Sequence, residues 1–325
     1  MLIIKYYFTF YLLKIKYRFI FAASNLITIQ KTNDMKTLKE QVNEIKSANI
    51  SRNAKKTALA KLGITPYEIS LMLASEMPSP SGSRRVSFTF GVEIECNVER
   101  GAIRTASEVT GMSYQYEGYN HRDGHSYFKF TTDASVTGAN AIECVSPVLK
   151  GQQGKSALKC AIDTLNRAGA SVNRSCGLHV HIGASDLNGH QYANVFCNYY
   201  HLEALVDSFM ARSRRRDANC YCRSLSDHSA LARCESVSDV QCVLDRDRYH
   251  KVNPMSYDRH RTIEFRQHQG STDYKKIINW VMFCGKLVEW SKKNRLAADV
   301  TSIDDIPFLT ATEKKFFNKR IAELA

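Results

Sequence analysis

CGLHVHIG, residues 176–183, sets two histidines two positions apart inside an apolar run. His179 and His181 alternate with Leu178, Val180 and Ile182. In a strand, successive side chains point to opposite faces. Both imidazoles therefore share one face and the three apolar side chains share the other. The apolar face reads as core. The histidine face reads either as a site or as ordinary solvent exposure, and the rest of the chain decides between them.

Other stretches repeat the design. In FGVEIEC (90–96), Glu93 and Glu95 share a face and Val92 and Ile94 take the other. Carboxylates about 6.6 Å apart along a strand repel when desolvated, and a cation beside them reverses that cost. RTIEFRQHQG (261–270) places Thr262, Glu264, Arg266 and His268 opposite Ile263 and Phe265. NAIECVSP (140–147) adds Glu143 between Ile142 and Cys144. Each stretch alone has an ordinary explanation: solvated glutamates, or a surface ion pair worth little. Their recurrence favours a site. Carboxylates with imidazoles, and without paired cysteines, suit Mg²⁺ or Mn²⁺ better than structural zinc. An added arginine completes what phosphoryl chemistry needs.

Composition is that of an ordinary globular protein, with 44% hydrophobic and 24% charged residues over 325 positions, room for one large domain or two small ones. The formal charge of +13 is spread out, and only RSRRR (212–216) is dense. A basic balance favours anionic partners: nucleotides, phosphates, nucleic acid or an acidic substrate. Of the ten cysteines, Cys96, Cys144, Cys160, Cys197 and Cys284 sit in apolar periodic segments. They read as small buried hydrophobes in a reducing cytoplasm.

Residues 1–34 are apolar but interrupted by Lys5, Lys14, Lys16 and Arg18. A spanning helix needs roughly 20 apolar residues. The segment reads first as an upstream extension from a mis-called start, with Met35 as the true one, ahead of a membrane anchor or a signal peptide. Residues 35–76 carry apolar residues at helical spacing and form a helical arm. MPSPSGSRR (77–85) is a linker.

From residue 86 the texture is strand-like, with VSFTFGVEIECNVE, YFKFTTDASV and NAIECVSPVL. KSALKCAIDTLNRAG has helical spacing that ends at Gly169, and residues 189–213 make a long helix. A further helix enters through Thr272 or Asp273, and the last starts at Thr310 with Glu313 three residues on, the spacing of a capping box. Residues 213–248 are polar and irregular. The fold class is α+β.

Two features can mislead. GQQGKS (151–156) lacks the four residues that a P-loop needs between its glycines. Cys220, Cys222, His228, Cys234 and Cys242 fit no common zinc module, so zinc and free thiols both stay open. The basic loop beside them reads equally as solvated or as reaching over phosphates.

FGVEIE, TDASVTGANAIECVSP, CGLHVHIG and KVNPMSYDRHRTIEFRQHQGSTD, in this order, resemble the amidoligase family, in the superfamily of glutamine synthetase and glutamate–cysteine ligase. The resemblance covers about residues 86–290. It implies a mainly antiparallel, glutamine-synthetase-like sheet with helices packed on one face, spanning 86–325, with 213–248 as a lid-like insertion. It implies ATP-dependent joining of a carboxylate to an amine through an acyl phosphate, with ATP and Mg²⁺ or Mn²⁺ as cofactors. Carried over by position, Glu93, His179 and Glu264 resemble ligands of the metal that holds the ATP phosphates. Glu95 and Glu143 resemble those of a second metal nearer the amine and acyl substrates, and Asp133 adds a further carboxylate. His181 and Arg266 lie on the nucleotide side, and Arg266 and Glu95 are the expected catalytic residues.

Small-molecule or peptide carboxylates and amines are the expected partners, without nucleic acid, and without membrane unless residues 1–34 are an anchor. Such families are frequent in phages, so a phage origin goes with the resemblance. Two other readings stand beside it. A metal-dependent hydrolase would use the same His/Glu face without ATP, and a non-enzymatic basic protein would bind nucleic acid in a salt-sensitive way.

Overall fold

The computed structural model describes residues 37–48, 52–64, 69, 87–118, 120 and 124–325. The extension 1–34 and the linker 77–85 lie outside the described residues. The chain divides into two units, Met1–Pro78 and Ser79–Ala325. In the first, α1 (Leu38–Ser47) and α2 (Arg52–Lys61) are helices. Thr37 and Glu40 close a capping box on α1. Val42, Leu59 and Ile69 make a small core with Leu38, Ile45 and Leu62 packed on it.

The second unit is α+β. Its strands are β1 (Thr89–Asn97), β2 (Tyr114–Tyr116), β3 (Phe128–Thr131), β4 (Ala141–Val145), β5 (Leu149–Lys150), β6 (Gly177–Gly183), β7 (Val252–Asn253) and β8 (Thr262–Gln269). They pair in the order β2-β3-β4-β1-β6-β8-β7, with β5 beside β1. Every pairing is antiparallel except β2 with β3.

One face of this sheet is apolar. Phe90, Val92, Ile94 and Cys96 of β1, Leu178, Val180 and Ile182 of β6, and Ile263 and Phe265 of β8 are buried there. Each large side chain so buried contributes about 1.5–3 kcal/mol relative to exposure. Helices α4 (Gly151–Arg167), α5 (Gly189–Ser208) and α8 (Tyr274–Ser291) supply the facing apolar layer, with Trp280, Phe196 and Leu158 among the side chains fully removed from solvent. Close approach is enforced at Gly285 of α8, where a Cβ would stand 2.1 Å from the Phe88 ring. Helix α3 (Arg100–Thr110) packs on α4, and α9 (Ala311–Leu324) closes the chain.

Local signals set the helix ends. Asp273, not Thr272, caps α8 by accepting from the amides of Lys275 and Lys276. Thr310 and Glu313 form the expected capping box of α9. GQQGKS forms the first turns of α4, which begins at Gly151, so no phosphate loop exists there. Residues 213–248 are mostly turns. They also hold a helix, α6 (Val237–Val243), whose Ser236/Asp239 capping box is a readable start signal, and a short helix, α7 (Ser256–His260), follows β7.

One expectation fails. His268 does not share a face with Glu264 and Arg266. The β6–β8 register shifts between Leu178 and Val180, so Arg266 and Gln267 together oppose the single residue His179. This bulge turns His268 to the apolar face, opposite Leu178. Its ring lies 5.9 Å from that of Trp280, and burial pulls its pKa down to about 4.

Candidate active site

Strand register, not sequence proximity, assembles the polar face. Glu95 of β1 stands opposite Glu143 of β4, Glu93 opposite His179 of β6, and His181 opposite Glu264 of β8. These three cross-strand pairs form a diagonal row. Thr131 of β3 extends it beside Glu143, and Asn253 of β7 extends it beside Glu264. Directly opposed side chains have Cβ atoms about 4.5–5.5 Å apart, so polar tips on this face must meet.

His179 Nδ1 lies 3.0 Å from Glu93 Oε2, and His179 Nε2 lies 3.7 Å from Glu95 Oε1. His181 Nδ1 is held by the Thr262 hydroxyl at 3.0 Å. That leaves its Nε2 toward Glu93 Oε1 at 3.3 Å and Glu264 Oε1 at 4.0 Å. Gly177 N–H donates to Glu95 Oε2. A Cβ at Gly177 would stand 3.0 Å from His179 Nε2 and 3.3 Å from Glu95 Oε2, so the site needs glycine there.

Arg266 Nη1 donates to Glu264 Oε1, and its Nε donates to the Tyr221 carbonyl at 3.1 Å. Nη2 has no hydrogen-bond partner among the described residues. The guanidinium also lies 5.8 Å from the centre of the Tyr249 ring, within cation–π range.

Charge is distributed unevenly. Burial, then Glu93, Asp133, Glu95 and Glu264, push the Glu143 carboxyl well above the usual range. Burial raises Glu264 too, but Arg266 and His181 outweigh it and hold its pKa at about 2. For Glu93 burial is again opposed, here by His179 and His181, and the carboxyl sits well below the usual range. His181 runs the other way: burial lowers it, Glu93 and Glu264 raise it, and the net is upward.

Three triads bring one ligand atom from each residue within 4.8 Å of the others: Glu93/His181/Glu264, Glu93/Glu143/His179 and Glu95/Asp133/Glu143. All five expected metal ligands and Asp133 thus gather in one row. His181, expected on the nucleotide side, also joins a triad. The donor set suits a hard divalent cation. The buried Nε2 of His181 faces the Glu93 and Glu264 carboxylates without hydrogen-bond geometry to either, and a cation would also relieve the repulsion on Glu143. Among the described residues, no such cluster contains a cysteine. Cys222 Sγ instead takes Arg214, Cys234 Sγ donates to the Ala230 carbonyl, and His228 packs edge-on to His250. All ten cysteines are free.

Apart from Glu95, the row lines a cavity of about 580 Å³. Sequence reasoning missed several of its walls. Lys129 and Thr131 line it on β3, and Asn253, which donates to Glu264 Oε2, lines it on β7. Arg248, Arg259 and Arg261 add positive charge near β7 and β8. The alternation in YFKFTTDASV carries a signal for Lys129 and Thr131. Nothing local marks the three arginines.

The basic loop around RSRRR is solvated only in part, with Arg212 and Arg216 exposed. Arg214 is buried and donates to the Ser175 and Cys176 carbonyls, and Arg215 ties to Met210 and Leu324. The segment 213–248 is anchored as well. Fully buried Lys251 bridges Glu203 at 2.7 Å and Asp207 at 2.8 Å, while Glu203 also takes the amide of Leu225 and Asp207 that of Arg216.

Among the described residues, no helix is long and apolar enough to cross a membrane. No curated protein matches the chain. Similar solved structures include a bifunctional glutathione synthetase from Pasteurella multocida, at 11% identity and a TM-score of 0.37, over 74% of this chain and 41% of that one. Another is a novel glutamine synthase homologue, at 12% identity and a TM-score of 0.33, over 73% of this chain and 63% of that one. The chain spans less than two thirds of either, and at these scores neither bears on function. The family described as "Putative amidoligase enzyme" matches residues 87–288, which include every residue of the polar row. With more than half of its length inside that family, the chain belongs to the amidoligases.

Proposed function

We propose that the protein joins a carboxylate to an amine at the expense of ATP, through an acyl phosphate, with two divalent cations. The observation that carries this reading is the diagonal row: carboxylates and imidazoles in overlapping triads, ending in an arginine with a spare donor. Glu93, His179, His181 and Glu264 would hold one cation, and Glu95, Glu143 and Asp133 the other. Bound there, Mg²⁺ or Mn²⁺ would supply neutralisation of phosphate charge.

A carboxylate is inert toward amines at neutral pH because its leaving group would be oxide. Transfer of the γ-phosphoryl forms a bond from carboxylate oxygen to phosphorus and breaks the bond to ADP. The amine then attacks the acyl carbon, phosphate leaves, and the surplus amine proton is lost. Arg266 would act in the first step. Its Nη1 and Nε are fixed by Glu264 and Tyr221, so Nη2 can meet the oxygens over which charge spreads. The tether to Tyr221 supports segment 213–248 as a cover that would keep water from the acyl phosphate. Glu95 would stand at the amine end of the row. Substrates would be small molecules or peptides.

Hydroxylamine replaces the natural amine in the test. Purified protein is offered carboxylates, and hydroxamate and ADP are measured. Product is expected only with both ATP and a divalent cation. Equal product without ATP overturns the ligase reading in favour of a hydrolase working in reverse.

A further inference from the structure

The β3 edge of the cavity holds two buried polar side chains that the proposed chemistry does not use. Lys129 is 5% exposed and Thr131 4% exposed, and both line the cavity. They stand two apart on one face of β3, opposite Val145 and Glu143 of β4. Thr131 Oγ1 has no hydrogen-bond partner. Among the described residues, Lys129 Nζ donates only to the backbone carbonyl of Asn120, at 3.2 Å.

No carboxylate among the described residues comes within 4.0 Å of that ammonium. Glu117 feels its charge, but the Glu117 oxygens are taken by the Tyr127 hydroxyl and the Asn120 amide. A buried ammonium without a paired anion is costly, as is a buried hydroxyl without a partner. A ligand that brings an anionic acceptor would relieve both.

The position selects the ligand. Arg248, Arg259, Arg261 and Arg266 gather at β7 and β8. In the sheet order, β3 lies four strand steps from β8. At the usual spacing that is about 19 Å. Phosphates held by the arginines are thus remote from Lys129. A reacting carboxyl over β1 and β6 is also at least two steps away, about 10 Å.

We infer that Lys129 Nζ and Thr131 Oγ1 bind a carboxylate that does not react, so that this enzyme selects a substrate with a second, distal carboxylate. The identity of the reaction rests on the ligase reading. The binding does not.

The test therefore measures binding without ATP. Saturation-transfer NMR titrations of the full chain with Mg²⁺ compare succinate, glutarate, adipate and suberate with their monomethyl esters and with inorganic phosphate. At least one diacid is expected to bind about tenfold tighter than its monoester, as a charge-assisted contact requires. Lys129→Met should erase that preference, Lys129→Arg should keep part of it, and Thr131→Val should weaken it about threefold. Circular dichroism checks the fold of each variant, and Thr131→Val, a change of one atom, keeps the test open if Lys129→Met does not fold.

The inference is overturned if no diacid is preferred, or if the preference survives Lys129→Met. It is also overturned if that variant loses phosphate or Mg²⁺ binding instead, since Lys129 would then serve the nucleotide or merely balance Glu143 and Asp133. The two readings fail separately. A diacid preference with no carboxylate-dependent ADP release sinks only the ligase reading. ADP release with diacids and monoesters alike sinks only this one.

Discussion

Glu143 and Glu264 stand on one face of one sheet, both buried, and their pKa values are driven in opposite directions. Burial raises the pKa of each. Around Glu143 the other near charges are carboxylates, and its pKa is driven further up. Around Glu264 they include Arg266 and His181, and its proton is lost. Burial sets the cost of a charge, and neighbours decide whether it is met. The β8 end of the row carries its own cation in Arg266, and at the β4 end the proposed metal would supply one.

The largest break in this comparison is Arg266→Ala. In the proposed reaction it removes the group that meets the phosphoryl oxygens, and kcat for hydroxamate formation should fall by about 10³-fold, with a much smaller change in ATP affinity. Arg266→Lys should recover only part, because a point charge cannot reproduce the planar fork. Unchanged kcat in the alanine variant would remove Arg266 from the chemistry.

Glu264→Gln comes next. It leaves the Arg266 guanidinium buried without its carboxylate, and urea unfolding of metal-free protein should show a loss of about 3 kcal/mol.

The pH dependence should separate the two carboxylates in sign. The Glu264 pKa is depressed from 4.5 to about 2. Its stabilisation is therefore present above about pH 4.5 and lost as pH falls toward 2, at most about 3 kcal/mol. The Glu143 pKa is raised, so its contribution is present below pH 4.5 and lost as pH rises. Metal-free protein should weaken from pH 4.5 upward, and Mn²⁺ should abolish that slope. Denaturant midpoints across pH 2–8 decide. A slope of the same sign in Glu264→Gln and Glu143→Gln would break the comparison.

A control lies on the other face. Gly285→Ala drives a methyl into the Phe88 ring and should cost about 1–3 kcal/mol through packing, equally at every pH. The smallest stability effect should be that of Glu143→Gln at or below pH 4.5, where the acid is protonated in the folded and unfolded chain alike and Gln imitates it. Metal-free stability there should move by less than about 0.5 kcal/mol, and above pH 4.5 the variant should lose the downward slope, while Mn²⁺ affinity, read by calorimetry, drops clearly.

Much of the polar row is legible in the amino-acid sequence. Alternation in FGVEIEC, NAIECVSP and CGLHVHIG puts Glu93, Glu95, Glu143, His179 and His181 on the faces they occupy, because side-chain direction in a strand is a local property. Cap residues are legible for the same reason, as Thr310 with Glu313 shows. His268 is misread by alternation because a bulge is set by the partner strand. Its side chain follows the pairing with Leu178, not the count from Glu264.

What the sequence by itself determined was the chemistry of each strand: which residues are polar, which are apolar, and which share a face. What only the tertiary structure decided was which polar residues meet. The pairings Glu95 with Glu143, Glu93 with His179 and His181 with Glu264 join positions from 48 to 86 residues apart. A one-residue slip in any of them would keep the same sequence and dissolve the row. The choice among registers belongs to the buried apolar faces packed on α4, α5 and α8, since a slip would turn a whole core face toward water.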